Sequence, residues 1–370
     1  MEGELISVER PIDGSRRRAI WKRTYCTMLG AQTLPELGDN IVSRVTNKLR
    51  EKASPIPPVR ISRVAADFLV KPEPEFEPNL PAARGKLVFE NDSGWFKVVM
   101  RPEKSLYRVL PRNYLDGETS FEDCLTWQGR FTYAHEFVHR FFFVPIQGAR
   151  GWQRAIDAVI GMVDLEVAVA TRRYLQDREE SLCNNIARRI LLPQKELAEF
   201  VQRRFQQEGE SLLPQMGKII QTVSRCFLVP TESALLALGD ALHEGYLKGP
   251  PELFAICIDA QVSRPGSVRS GIRNLRIKSA IIGRVPISKS SEKPFFRLSD
   301  PQVLGPALRE HCVELLSSRQ LSPEKTVEIP LVFPFKSGSD VVCLKGWSQS
   351  LVSPNAHSEF RRGLIWGQLF

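Results

Sequence analysis

Five histidines occur in the chain, and two of them stand four residues apart in Arg130-Phe-Thr-Tyr-Ala-His135-Glu136-Phe-Val-His139-Arg-Phe-Phe-Phe143. This is the His-Glu-x-x-His pattern of a metal-dependent hydrolase. On a helix, residues four apart differ by roughly 40° in direction, so both imidazoles project from one face. Two neutral ring nitrogens placed this way can take adjacent corners of a zinc tetrahedron. Glu136 is turned by about 100° from His135, beside the metal and off its ligand face. A carboxylate there is placed to take the proton of a water that the metal has acidified, instead of binding the ion.

The plainer reading makes these three ordinary residues of a half-buried helix. The apolar setting weighs against it, because Phe131, Phe137, Val138 and Phe141 to Phe143 surround the pair. An unpaired carboxylate is costly in such surroundings, whereas a metal and its water would give Glu136 a partner. A catalytic zinc takes three protein ligands and keeps a fourth position open, so two histidines are not enough. The third candidate is Glu180, in Glu180-Ser-Leu-Cys183-Asn184-Asn-Ile-Ala187-Arg-Arg-Ile-Leu-Leu-Pro193. Leu182, Ile186 and Ile190 recur at helical spacing, Pro193 closes the run, and Glu180 is expected in its first turn. There it has a rival role, since Asp177-Arg-Glu-Glu180 matches a capping box. Glu179 is adjacent, so the residues alone leave the choice between two carboxylates open.

The order Arg130-Phe-Thr-x-Ala-His-Glu-x-x-His, then Glu180-x-x-Cys-Asn-x-x-Ala187 and Leu191-Leu192-Pro193, resembles the ImmA/IrrE family of metallopeptidases. Pro57-Pro58-Val59 ahead of a short helix is similar to that family's N-terminal signature. The resemblance spans roughly Leu34 to Pro193 in three ordered blocks. It implies that His135, His139 and Glu180 are the ligands of a zinc ion (Zn2+) and that Glu136 is the general base. It selects Glu180 over Glu179, because Glu180 stands three before Cys183-Asn184 as the family glutamate does. Cys183 and Asn184 then read as residues that support the ligands or pack beside them, and receive no chemistry. The family's activity implies a zinc metallo-endopeptidase whose protein substrate is a helix-turn-helix transcriptional repressor, cut to release stress or mobile-element genes. Larger members add a helix-turn-helix-like segment and a GAF-like sensor; Val223 to Leu242 reads as that segment or, equally, as a plain helical linker, and the tail from Pro251 matches the sensor in order and texture. One stretch departs from the pattern: Arg140 to Glu179, with an extra apolar helix from Trp152 to Tyr174, is longer than in most relatives.

The elements that must position these residues are legible in outline. Leu37, Ile41, Val45 and Leu49 predict an amphipathic helix from Leu34 to Lys52, stopped by Ser54-Pro55-Ile56-Pro57-Pro58. Val59 to Leu69 reads as a short extended piece followed by a second helix, and Lys71 to Pro81 as an exposed loop. Lys86 to Glu90 and Trp95 to Met100 flank Asn91-Asp92-Ser93-Gly94, a β-hairpin pattern. Helices dominate from about Thr126 to Lys248, interrupted at Pro193, Pro214 and Pro230. After Gly249 the texture turns to strands (Leu253 to Ile258, Leu275 to Ile282, Ile329 to Phe335, Val341 to Leu344), with one helix near Leu304 to Leu316. The expected class is α+β: a mainly helical, zincin-like peptidase domain with a small β-sheet, then a helical segment and a β-rich C-terminal domain. The boundaries read as an N-terminal extension over 1–33, a metallopeptidase domain over 34–200, a helical segment over 201–249 and a β-rich, GAF-like domain over 250–370.

Composition narrows the setting. With 42% hydrophobic and 25% charged residues the chain has the balance of a folded globular protein. Its first residues lack a basic stretch leading into an apolar one, and its most apolar window, Ala155 to Ala170, holds Asp157, Asp164 and Glu166. Neither a secretory signal nor a membrane span is expected. Seven scattered cysteines without a CxxC pair point to a reducing, cytoplasmic setting. The net charge of +9, with basic clusters at Arg16 to Arg23 and around Arg188, Arg189, Arg203 and Arg204, gives weak support to a nucleic-acid partner; solvated helix faces explain it as well. Two alternatives to the enzyme therefore stand: a DNA-binding regulator with a non-catalytic metal site, and a protein that sequesters a repressor without cutting it. Tyr133, Tyr174 and several arginines are available as donors to an oxyanion, and nothing in the sequence selects among them.

Overall fold

The computed structural model describes residues 14–52, 57–80, 84–108, 121–162, 165–205, 212–249, 253–262, 272–282, 285–288, 297–298, 321–332, 339–351 and 360–369. In chain order the helical and strand elements of the first half are α1 (Gly14–Met28), α2 (Leu34–Lys52), α3 (Ser62–Ala65), β1 (Glu75–Phe76), β2 (Gly85–Glu90) and β3 (Trp95–Met100). Next come α4 (Phe121–Cys124), α5 (Trp127–Val138), β4 (Phe143–Pro145), β5 (Trp152–Arg154), α6 (Ala155–Ile160) and α7 (Leu165–Leu191). Helices α8 (Gln194–Phe205), α9 (Met216–Phe227) and α10 (Thr231–His243) lead to seven strands. These are β6 (Leu253–Val262), β7 (Ile272–Ile282), β8 (Val285–Ser288), β9 (Arg297–Leu298), β10 (Leu321–Val332), β11 (Ser339–Leu351) and β12 (Phe360–Leu369). The class is α+β, as expected. Two compact units share the chain, one drawn from 1–52, 61–103 and 132–187, the other from 53–60, 104–131 and 188–370.

In the first unit α2 has the bounds its periodicity predicts, and Leu37, Ile41, Val45 and Leu49 are buried. Gly38 lies on the same helix where α7 passes: a Cβ there would stand 3.1 Å from Leu182 Cδ1. The missing side chain lets the two helices close on each other. The predicted hairpin forms, with Phe89 opposite Phe96 and Gly94 at a positive φ of 72° in its turn. Lys71 to Pro81 is not all loop, however. Within it β1 pairs parallel with β3 (Glu75 with Val99, Phe76 with Met100), giving a sheet of order β1-β3-β2. A strand of two residues has no alternation to read, which is why its sequence resembles a loop. Lys97 reaches Glu75 at 2.7 Å and Glu90 at 2.9 Å, crossing all three strands. The Cζ of Arg140 lies 4.4 Å from the Phe96 ring centroid and 4.0 Å from that of Trp152. That double stacking ties the chain just after His139 to β3 and β5.

One expectation for this unit is corrected, and one segment left without clear periodicity is found to be ordered. The N-terminal extension holds α1, with Tyr25 and Cys26 fully buried; residues 1–13 lie outside the described residues. The extra helix expected from Trp152 to Tyr174 divides into β5, α6 and the beginning of α7. The last of these continues to Leu191, since residues 165–191 contain neither glycine nor proline to stop it.

The second unit is built on an antiparallel seven-stranded sheet of order β8-β7-β6-β12-β11-β10-β9. Strands β8, β9 and β12 had no counterpart in the sequence reading, and the helix expected near Leu304 to Leu316 lies outside the described residues. Helix α10 packs on α8, α9 and the β6-β7-β8 side of the sheet. It follows α9 after three residues, with Leu228 left-handed at φ 54° and the Ser224 hydroxyl donating to the Val229 carbonyl at 2.7 Å. Short connections of this kind occur in helix-turn-helix pairs. Yet α10 buries Ser233 to Gly239 without a break and carries Glu232 and Asp240 at its margins. It presents no exposed basic face to a groove. Arg188, counted among the basic clusters, is buried and pairs with Asp240 at 2.8 Å. Among the described residues, no helix is long and apolar enough to cross a membrane.

Candidate metal centre

Thr126 starts α5, its hydroxyl accepting from the Gly129 amide at 3.0 Å as an N-cap. The helix then presents His135 and Glu136 before tightening into a 3-10 turn over His139–Phe142. The two imidazoles remain neighbours, with ring centroids 4.9 Å apart. Glu180 faces them from the middle of α7. The first-turn position and the capping box expected for it are thereby overturned, because the helix begins fifteen residues earlier, at Leu165.

Three electron-pair donors converge. His135 Nε2 lies 3.1 Å from Glu180 Oε2 and 3.1 Å from His139 Nε2, and His139 Nε2 lies 3.5 Å from Glu180 Oε1. Ligands on a tetrahedral ion at bond lengths of 2.0–2.1 Å are separated by about 3.3 Å. The observed spacings bracket that edge. The other ring nitrogens show which atoms carry protons. His139 Nδ1 lies 3.1 Å from Glu179 Oε1, and an ionised carboxylate can only accept, so Nδ1 holds the hydrogen. His135 Nδ1 lies 3.1 Å from Asn184 Oδ1, which likewise calls for Nδ1–H. Both Nε2 atoms therefore turn lone pairs towards each other and towards a carboxylate. Such a cluster is stabilised by a cation at its centre. The group His135, His139 and Glu180 can hold a metal ion.

The two carboxylates differ in direction. Glu179 and Glu180, one residue apart on α7, meet opposite edges of the His139 ring: Glu180 the Nε2 edge, Glu179 the Nδ1 edge. Both Glu179 oxygens are turned to other partners, Oε1 to His139 Nδ1 and Arg154 and Oε2 to Tyr25.

Glu136 is buried, and among the described residues no hydrogen bond ties it down. Burial raises its pKa, with His135 and His139 pulling the other way. A carboxylate more basic than usual, beside the three donors, is suited to accept and return a proton. The donors weighed for an oxyanion fare less well. Tyr133 is buried with its hydroxyl donating to the Pro72 carbonyl at 2.8 Å. Cys183 is fully buried, its Sγ 3.6 Å from His139 Nδ1, and burial keeps the thiol neutral.

The sequence offered Asn184 as a support of the ligands or a packing residue without a stated role, and Glu179 only as a rival ligand. A signal for Asn184 was present: it lies one turn after Glu180, hence on the same face of the helix that carries the third ligand.

No family model matches the chain, and no curated protein matches it. Among solved structures, a Mycobacterium tuberculosis transcriptional regulator is similar over 95% of this chain and 81% of that one, at 12% identity and a TM-score of 0.37.

Proposed function

We propose that the chain is a zinc-dependent endopeptidase of the ImmA/IrrE type, with His135, His139 and Glu180 as metal ligands and Glu136 as general base. The observation that carries this is the convergence of two imidazole lone pairs and a carboxylate at tetrahedral spacing, with a second, buried carboxylate beside them. A purely structural site would close its fourth position and would have no use for Glu136. Zinc is the ion favoured by two imidazoles and a carboxylate, and when bound it supplies Lewis acidity towards water and a carbonyl. The chain's own residues do the rest. Glu136 accepts the proton of the attacking water, the water oxygen bonds to the scissile carbonyl carbon, and Glu136 returns the proton to the leaving amine as the C–N bond breaks. The Nδ1–H groups of His135 and His139 are held by Asn184 and Glu179.

The substrate class, a helix-turn-helix repressor, follows from the resemblance of the three sequence blocks, and we assign the seven-stranded sheet to sensing on its position after those blocks and its strand-rich texture. The alternative of a DNA-binding regulator draws on the net charge and on the possible helix-turn-helix over Val223 to Leu242, whose helix α10 is buried over Ser233 to Gly239. Elemental analysis of wild type and Glu180→Ala tests the site, with about one zinc per chain expected in the first and far less in the second. Incubation with candidate repressors tests the reaction: two fragments from wild type, none from Glu136→Gln with its zinc retained. A stable complex, uncut and indifferent to chelators, would replace the enzyme by a sequestering protein.

A further inference from the structure

Glu179 is completely buried. Three donors from three different elements meet on its carboxylate. His139 gives Nδ1–H to Oε1 at 3.1 Å, Arg154 at the end of β5 gives Nη2–H to the same oxygen at 2.7 Å, and Tyr25 of α1 gives its hydroxyl to Oε2 at 2.5 Å. Both oxygens are committed. A carboxylate without exposed surface is costly unless donors and an opposite charge compensate it, and here they do. An anion so held can serve His139 in only one way, as acceptor of the Nδ1 proton, which turns the Nε2 lone pair towards His135 and Glu180. A ring hydrogen-bonded to a carboxylate is fixed in rotation and is a stronger electron-pair donor than one bonded to a neutral group. His135, by contrast, leans on the amide of Asn184. The two ligating rings are supported unequally.

We propose that Glu179 is a positioning residue that sets the tautomer, orientation and donor strength of His139, and that Tyr25 and Arg154 hold Glu179 for that task. Helix α1 and the strand Trp152–Arg154 are then parts of the metal centre. Both lie outside the three sequence blocks that carry the metallopeptidase resemblance, one in the N-terminal extension and one in the long stretch between His139 and Glu180. The inference rests on the metal-centre reading and does not require that a peptide be cut.

Its test is metal affinity in the full chain, measured by titrating Zn2+ against a chromophoric chelator, with the visible spectrum of bound Co2+ as a report on coordination geometry. Wild type, Glu179→Gln, Tyr25→Phe and Glu180→Ala are compared, and the metal-free melting temperature of each checks the fold. Glu179→Gln is expected to weaken zinc binding by about 10- to 100-fold and Tyr25→Phe by about tenfold, both with shifted cobalt bands, while Glu180→Ala loses binding. Tyr25→Phe removes a single oxygen and keeps the ring, so it remains informative if Glu179→Gln fails to fold. Unchanged affinity and an unchanged cobalt spectrum in both variants would overturn the proposal and leave the metal centre standing. An effect of Glu179→Gln without one of Tyr25→Phe supports Glu179 and overturns the part given to α1. A wild-type chain that binds neither ion would overturn the metal centre and the proposal together.

Discussion

Gly85, the first residue of β2, lies directly against Glu136: a Cβ built on it would stand 2.8 Å from Cγ and 3.2 Å from Oε1 of the glutamate. The first of these is closer than real Cβ atoms come to carbon, so any side chain at 85 must push the carboxylate aside. A general base works only within hydrogen-bond reach of the proton it takes. If the chain is the proposed peptidase with Glu136 as its base, Gly85→Ala should lower the rate of repressor cleavage by about 10- to 100-fold, as misplacement by an ångström does elsewhere. Metal content should not change, since the proposal gives Glu136 no place among the ligands. Cleavage assays paired with elemental analysis check this, and a loss of zinc in the variant would mean that β2 supports the ligands themselves.

Asn184 supports the other imidazole. Removing its carbonyl leaves His135 Nδ1–H without the acceptor that now lies 3.1 Å away and frees the ring to choose the wrong tautomer. Asn184→Ala is expected to weaken zinc binding by about tenfold, at the lower end of such effects because the lost acceptor is neutral. Asn184→Asp restores an acceptor and should recover most of the affinity. Competition titrations of the two variants side by side decide the matter, and equal losses would point to packing around residue 184 instead of the hydrogen bond.

How far the centre was legible depended on the distance over which each contact is encoded. His135, Glu136 and His139 lie within two helical turns, so their relative directions follow from helix geometry alone. Glu180 is legible from the succession of motif blocks, but helical spacing counted from Leu182 puts it in a first turn, where α7 has already run for fifteen residues. The absence of glycine or proline from 165–191 was the better guide, since nothing there stops α7. The contact of Tyr25 with Glu179 joins residues 154 positions apart, across a segment without clear periodicity, and no local pattern announces it. The fit of Gly85 against Glu136 is equally silent, being a matter of backbone proximity in the folded chain. The strands of the C-terminal sheet were visible where apolar runs were long, as in Leu253 to Ile258, and invisible where they were short, as in Val285–Ser288.

Metal should stabilise the fold that it finds assembled. A ligand that binds only the folded chain adds about 2.7 kcal/mol at a hundredfold excess over its dissociation constant. Zinc at that excess should raise the melting temperature of the wild-type chain by several degrees, and a chelator should reverse the gain. Glu180→Ala should melt at the same temperature with and without zinc. Differential scanning fluorimetry at several zinc concentrations gives the answer, and a zinc-dependent rise in Glu180→Ala would place the stabilising ion elsewhere.

The pair Arg130 and Glu122 offers a test of what holds α5 in place. Its side chains are 1% and 3% exposed and meet at 3.1 Å, and a second nitrogen of Arg130 donates to the Val59 carbonyl. Burial depresses the Arg130 pKa, and Glu122 and Asp123 oppose that fall. Taking away one partner leaves the other charge buried and uncompensated, so Glu122→Ala should destabilise this unit by about 3–5 kcal/mol. Replacing both, as in Glu122→Leu with Arg130→Met, removes both desolvation costs along with the attraction. What then remains is the Val59 carbonyl without its donor, a loss of about 1–3 kcal/mol. The double variant should thus be more stable than the single one. Urea unfolding of both, read as midpoints at a common slope, distinguishes the two. If the double variant is as unstable as Glu122→Ala, the pair contributes through its shape and its hydrogen bond to Val59, and its charge is incidental.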